Sequence, residues 1–584
     1  MKPDNFIEVS FEVANKVGGI HQVLKSKSGS MHERYGENYI TIGFYNPEEA
    51  SKEFAPRENH GFEKIFHKLE EKGIKCYYGV WNAPSDPRCI LVDPSDMQKT
   101  ANEIKKELWD NYGVDSMEAG PDFDEPVKWS YAVGELVKEL DTELEGDTVL
   151  QAHEWLSGPA ILNSDNPSVF TTHATVLGRT LSSSDFDLQS AVEHGRLDPN
   201  LAEEYEVVPK HHIEKASAEQ ADVFTTVSKN TGKEAEAVLG VEPDVILPNG
   251  FNVEDFPSLE ELSYQHTRKK GRVKEFLRAY FKPYYDVDLE SDPRILFTSG
   301  RYEYHNKGID LLIDALAKMN SEEGEDVFVF IMVPSDIKGQ KTEVVENLSL
   351  YEELEAYLDS MMPKLKKELL NEITSGREPA KKCFKIVEDS SRELKSLQEN
   401  FRAKHGDRPP VSAFDLNYPE DEILTALYEN GLTNEEDDRV KVVFYPTYLS
   451  VGDRLLSMEY NDFLVAASAG IFPSYYEPWG YTPVETAANG ALAVTTDLAG
   501  FGKFLKENTG REDRKGIKIL ERQAKTDQES ADQLYNILEQ FVSYSKTEIT
   551  ERKHNARKLA QLTSWKKLSK NYLEAHKMAL EDKK

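Results

Sequence analysis

The stretch "AGIFPSYYEPWGYTPVE", residues 469–485, starts as an apolar strand and finishes as the start of a helix. Pro478 and Pro483 fit a loop and the first turn of a helix, so the chain here runs strand, loop, helix, with the helix opening near Tyr481 or Thr482. Glu477 then stands at the carboxyl end of the strand, pointing into a cleft, and Glu485 lies about one turn inside the helix. The residues alone read Glu485 as a surface carboxylate. The free N–H groups of such a helix start can hold a phosphate.

The same alternation extends in both directions. Upstream, β-rich runs at residues 6–13, 39–45, 76–81, 148–153, 168–175 and 221–228 alternate with amphipathic helical stretches. A second series follows at residues 294–301, 326–335, 439–446, 469–476 and 492–500. Strand–helix alternation predicts parallel, doubly wound sheets, and two series predict two of them. Between the second and third strands of the later series, charged helical sequence at 339–432 replaces a short connection and forms an insertion. Within it Leu354, Leu358, Met361, Leu365 and Leu369 recur at three- and four-residue steps, the seam of a helix that packs on another, in this chain or in a second copy.

A chain of 584 residues exceeds one ordinary core, so a cleft between domains is expected. The formal charge of −34 argues against nucleic acid or an anionic membrane as partner, because phosphate-binding surfaces cluster Lys and Arg. Three cysteines at no metal-like spacing disfavour a disulfide framework or a zinc site and fit a reducing cytoplasm. The start has no basic region followed by an apolar core, and no run reaches the length of a membrane span, so a soluble protein is expected.

Ligands of open α/β sheets bind at the carboxyl ends of strands. In "VANKVGGIHQVLKSK", Gly18 and Gly19 let backbone approach a ligand ahead of a helix beginning near Ile20. A tight strand-to-helix turn would use them equally well. "QAHEWLSG" puts His153, Glu154 and Trp155 at the end of one strand, and "TTHATVLGR" puts His173 and Arg179 at the end of the next. In "TSGRYEYHNKGID", Arg301 and Lys307 occupy the loop after a strand, where two cations can offset charge building on a departing diphosphate. A solvent-exposed pair is the plainer alternative.

These blocks, joined by "ASAEQADVFTTVS", "ILPNGFNV", "DRVKVVFYP" and "TTDLAGFG", resemble in order those of the glycogen synthases of animals and fungi, glycosyltransferase family three, from near residue 7 to near residue 570. The resemblance implies a GT-B fold: a Rossmann-like acceptor-side domain at 1–255, a Rossmann-like nucleotide-sugar domain at 256–560 that holds the 339–432 insertion, and a C-terminal helix at 561–584 packing back on the first domain. It implies transfer of glucose from UDP-glucose or ADP-glucose to an α-1,4-glucan with retention of configuration, and no metal or other cofactor. Glu477 matches the family's essential acid and Glu485 the second glutamate of that motif. Arg301 and Lys307 match the pair on the donor diphosphate, and Tyr481 and Thr482 the positions beside the nucleotide phosphates. His173 and Arg179 match residues near the donor sugar and phosphate, Glu154 an acid near the acceptor, and Lys16, Gly18 and Gly19 the glycine-rich donor loop.

The resemblance also implies a homo-oligomer, a tetramer, joined through the helical insertion. A related glucosyltransferase with another donor or acceptor, or an inactive glucan-binding homologue, are the alternatives; no lysine motif for a pyridoxal-dependent phosphorylase is found. The chain departs from the family in two places. There is little room for phosphorylatable tails, and the stretch "ERKHNARKLAQLTSWKKL" carries only Arg552 and Arg557 where the family has an arginine cluster for glucose 6-phosphate. Lysine lacks the guanidinium fork, so a constitutively active enzyme is expected.

Overall fold

The structure is a computed structural model that describes residues 2–581 except 59–60, 185, 196, 199, 253–255, 257 and 404–405. The expected domain boundary at 255 falls outside the described residues.

Two sheets organise the chain. The first has nine strands in the order Phe54–Pro56, Lys75–Trp81, Arg88–Asp93, Tyr39–Phe44, Asn5–Val9, Thr148–His153, Ser168–Thr172, Val223–Thr226, Val245–Ile246. From Arg88–Asp93 onward its neighbours are parallel. The expectation of a wholly parallel sheet is corrected at one edge, where Phe54–Pro56, Lys75–Trp81 and Arg88–Asp93 pair antiparallel. The second sheet is all parallel, in the order Val440–Phe444, Val327–Met332, Arg294–Ser299, Ala469–Ile471, Leu492–Thr496, Ile517–Leu520. Helices cover both faces of such sheets, which is why "VFVFIM" at Val327–Met332 is apolar and buried throughout.

Several strands are shorter than their sequence signal. Residues 6–13 yield only Asn5–Val9, because the chain turns at 11–14, and residues 469–476 only Ala469–Ile471, because Pro473 has no N–H with which to continue the ladder.

The insertion is rooted by a two-stranded antiparallel sheet, Ile337–Gln340 with Phe414–Leu416. From it rise the helix Thr342–Thr374 and the shorter helices Ala380–Asp389 and Ser391–Phe401. Val344 and Leu348 at its base are buried, whereas Leu358 is 44% exposed and Phe384 76%. The outer part of the seam is therefore only partly covered within the chain.

The chain crosses between the halves twice at one place, where Phe251 and Ser564 pair and the Phe251 N–H bonds to the Thr563 carbonyl at 2.8 Å. Beyond it the helix Trp565–Glu581 lies on the first sheet and buries Trp565, Leu568 and Tyr572 against Phe6, Tyr39, Val149 and Val169. Among the described residues no helix is long and apolar enough to cross a membrane.

Candidate active site

In each sheet the strand order reverses at one crevice, and loops from the flanking strands meet there. In the second sheet the crevice separates Arg294–Ser299 from Ala469–Ile471. The loop after the former carries Arg301 and Lys307, and the loop after the latter carries Glu477.

These two loops are bound together. The Asn306 carbonyl accepts the N–H groups of Tyr475 (2.9 Å) and Tyr476 (3.2 Å). Gly308 has φ +66°, and a Cβ there would sit 2.1 Å from the Pro473 carbonyl oxygen, so only glycine lets the loops approach this closely. The Lys307 ammonium consequently lies 2.5 Å from Glu477 Oε2, with the two side chains 16% and 20% exposed. This is a part-buried charge pair, still open to a ligand. The Glu477 carbonyl accepts the Gly500 N–H at 3.0 Å, which fixes the backbone behind the carboxylate.

Immediately after it the helix Tyr481–Ala488 begins at Gly480 with no side-chain cap. Among the described residues the N–H groups of Gly480, Tyr481 and Thr482 have no acceptor, so this helix start offers donors to an anion. The Tyr481 hydroxyl is committed elsewhere, donating to the Gly250 carbonyl at 3.1 Å. Glu485 is corrected from a surface carboxylate to a withdrawn one, lining a crevice between the halves with Gln22, Lys25 and Asn489. Burial without a counter-charge pushes its carboxyl up to about 7. Arg301 is not on Glu477: its guanidinium is 66% exposed and pairs with Glu303 at 2.9 Å.

In the first sheet the crevice lies between Asn5–Val9 and Thr148–His153. Lys16, Gly18 and Gly19 form an exposed turn before the helix Gly19–Tyr35. Sequence reasoning missed Glu12, whose Oε2 accepts the N–H groups of Gly18 (2.9 Å) and His21 (2.8 Å) and so takes up donors of this helix start itself. A Cβ on Gly18 would meet Glu12 Oε1 at 2.8 Å, so the glycine makes room for that carboxylate.

Glu154, at φ +66°, is buried, and its Oε1 accepts the N–H groups of His173 (2.9 Å) and Ala174 (3.2 Å), bracing one strand end against the next. Arg179 is exposed on the helix Val176–Ser182, within electrostatic reach of Glu154, Tyr476 and Glu303. A second link unseen in the sequence joins the halves beside Glu477: the Tyr476 hydroxyl donates to Glu234 Oε1 at 3.0 Å, and that oxygen also takes the Thr175 hydroxyl at 2.6 Å. Asn306 Nδ2 adds bonds to the Ser182 (3.3 Å) and Ser183 (3.1 Å) hydroxyls. Partners separated by more than a hundred residues leave no local signal.

Two Rossmann-like sheets, with a carboxylate–ammonium pair and an uncapped helix start at the switch point of the second, have the architecture of a GT-B glycosyltransferase. The glycogen synthase family model matches residues 8–583. The chain is 32% identical over 611 residues to glycogen (starch) synthase isoform 1 of Saccharomyces cerevisiae, covering 98% of this chain and 85% of that one. It is 31% identical over 587 residues to the liver glycogen (starch) synthase of Rattus norvegicus, with 98% and 83% covered. The Caenorhabditis elegans enzyme is 31% identical over 600 residues, with 98% and 88% covered. The chain belongs to the glycogen synthase family.

Proposed function

We propose that this enzyme transfers glucose, with retention of the α configuration, from UDP-glucose to the 4-hydroxyl at the non-reducing end of an α-1,4-glucan such as glycogen. The observation that carries the reading is the Lys307–Glu477 pair set beside the open helix start at Gly480. A glucosyl donor gains positive charge at the sugar and negative charge on the departing diphosphate. Glu477 answers the first. Lys307 and the N–H groups of Tyr481 and Thr482 answer the second. Arg301 joins them by exchanging Glu303 for a donor phosphate, since an exposed ion pair is worth only about 0–1 kcal/mol. These groups supply the charge that a metal would, so a chelator should leave the rate unchanged, and a strict metal requirement would contradict the reading. An inactive glucan-binding scaffold is disfavoured because Glu477, Arg301 and Lys307 are all present. Labelled UDP-glucose and ADP-glucose offered with a glycogen primer test the reading and the choice of donor; no incorporation from either refutes it.

The enzyme works in the cytoplasm as a homotetramer joined through the insertion, whose part-exposed apolar seam supports that assembly. It is constitutively active. Arg552 lies over the Tyr544 ring at 3.9 Å, and Arg557 Nη2 is directed to the Phe256 carbonyl at 3.4 Å. Arg552 Nε and Arg557 Nη1 keep donors unpartnered among the described residues, but two guanidiniums already held in this way fall short of a cluster that would grip a sugar phosphate by several forks. Several-fold activation by millimolar glucose 6-phosphate that is abolished by Arg557→Ala would overturn this.

A further inference from the structure

Beneath His173, on the inner side of the first sheet, lies a buried chain of polar groups for which the reaction as read so far has no use. Glu8, on the strand Asn5–Val9, is fully buried. Its Oε1 takes the Lys27 ammonium and lies 3.0 Å from His153 Nε2, and its Oε2 takes the Tyr39 hydroxyl. Lys27 sits over the Tyr572 ring at 4.0 Å. His153 Nδ1 in turn lies 3.0 Å from His173 Nε2. The backbone N–H of His173 is held by Glu154, so both the main chain and the ring of this residue are fixed.

The proton positions follow from donor–acceptor logic. Burial raises the Glu8 carboxyl, but Lys27 and His153 outweigh it and hold the group well below the usual carboxylate range. An ionised carboxylate only accepts, so His153 Nε2 must carry the proton. Burial chiefly, and then the Lys27 ammonium, keeps the His153 ring neutral despite Glu8, which leaves Nδ1 as a lone pair. Facing that lone pair, His173 Nε2 must be the donor. Burial first of all, with the Lys27 and Arg179 cations against the weaker pull of Glu8, keeps His173 neutral as well. Its Nδ1 is therefore a bare acceptor, and it has no partner among the described residues. The competing arrangement, a His153 imidazolium, would place a second positive charge against Lys27 in a fully buried site; it would leave the bond to Glu8 as it is and reverse only the one to His173.

We propose that Glu8 and His153 are positioning residues that hold His173 as its Nε2–H tautomer, so that Nδ1 presents a lone pair to a hydroxyl of the bound donor sugar. The role assigned to the sugar rests on the functional reading above together with the match of His173 to the family's residues near the donor sugar; the tautomer does not. An imidazole held this way accepts a hydroxyl proton and rejects an approaching acceptor group, which orients the sugar over the reacting bond. Misplacement of this kind costs on the order of 100-fold in rate.

The experiment uses the full chain with nitrogen-15-labelled histidine, with the His173 signals assigned by their loss in His173→Gln. Two-bond nitrogen–proton correlations at pH 7.5 should show a protonated Nε2 and a bare Nδ1 for His173. His153→Leu should abolish that pattern and lower kcat by about 10- to 100-fold with KM for the glucan unchanged. His153→Gln, whose amide can donate to Glu8 and accept from His173, should restore both. Circular dichroism and thermal melting confirm that the variants fold. An Nδ1–H or imidazolium signal for His173 in the unmodified protein overturns the proposal. So does a His153→Leu enzyme that loses the tautomer but keeps its rate. Failure of the parent enzyme to incorporate glucose from either nucleotide sugar refutes the functional reading instead, and the tautomer measurement tells the two failures apart.

Discussion

Lys307→Ala is the most informative single change at the site. The ammonium it removes is 2.5 Å from Glu477 Oε2, with both side chains largely shielded from water. Two effects then combine. The carboxylate loses its ion-pair partner in a part-buried place, and the departing diphosphate loses a cation positioned where negative charge develops. One such electrostatic contact is worth roughly 2–4 kcal/mol in the transition state, so kcat/KM should fall by about 30- to 1,000-fold. The loss should appear mainly in kcat, because the N–H groups of the helix start remain to bind the ground-state donor. Lys307→Arg should recover only part of it, since a planar guanidinium cannot occupy the place of a compact ammonium. Initial rates of glucose incorporation over a range of UDP-glucose, at saturating glycogen, give both constants. A Lys307→Ala enzyme within about threefold of the parent in kcat/KM would refute the assignment of this pair to the reaction centre.

Glu477→Gln should fold and bind donor yet lose about 100- to 10,000-fold in turnover, as measured by the same assay beside a thermal melt. Arg301→Ala should cost roughly 2 kcal/mol in kcat/KM, at the lower end because its guanidinium must first leave Glu303. Glu485 titrates near 7 in the folded chain against 4.5 ordinarily, so the stability it contributes is complete below about pH 4.5 and lost by pH 7 and above. Glu485→Gln should therefore raise the melting temperature at pH 8, by up to about 3 kcal/mol of stability, and change it little at pH 4.5, as followed by calorimetry. Leu358→Lys, on the part-exposed seam of the insertion, should shift light scattering at micromolar concentration from tetramer toward smaller species; an unmodified protein that is only monomeric rejects the assembly.

Runs rich in β-branched and aromatic residues, such as Thr148–His153 and Arg294–Ser299, announce themselves in the sequence because both faces of a parallel strand are buried and no alternation is needed. Phe54–Pro56, Val245–Ile246 and Ile517–Leu520 do not, being two to four residues long and dependent on a neighbouring strand for their conformation. Arg88–Asp93 is long enough to read but was obscured by its charged ends. At the site, Glu477 and Lys307 stand out because carboxyl ends of strands concentrate ligands, and local motifs place both residues there. Glu12 and Glu8 do not stand out. The former caps a helix start that looks free in the sequence, and the latter is a lone acid in an apolar strand whose partners Lys27 and His153 come from a helix and a second strand. A charged residue at an inward position of such a strand was the available signal, and only the fold shows what satisfies it.

On this reading the cleft moves glucose from a nucleotide sugar to a glucan through the Lys307–Glu477 pair. Incorporation of label from UDP-glucose into glycogen, compared between the parent enzyme and Glu477→Gln under identical conditions, tests it most directly. Primer-dependent incorporation by the parent and a loss of at least about 100-fold in the variant are expected. Equal incorporation by the two proteins, or none by the parent from UDP-glucose or ADP-glucose, would contradict it.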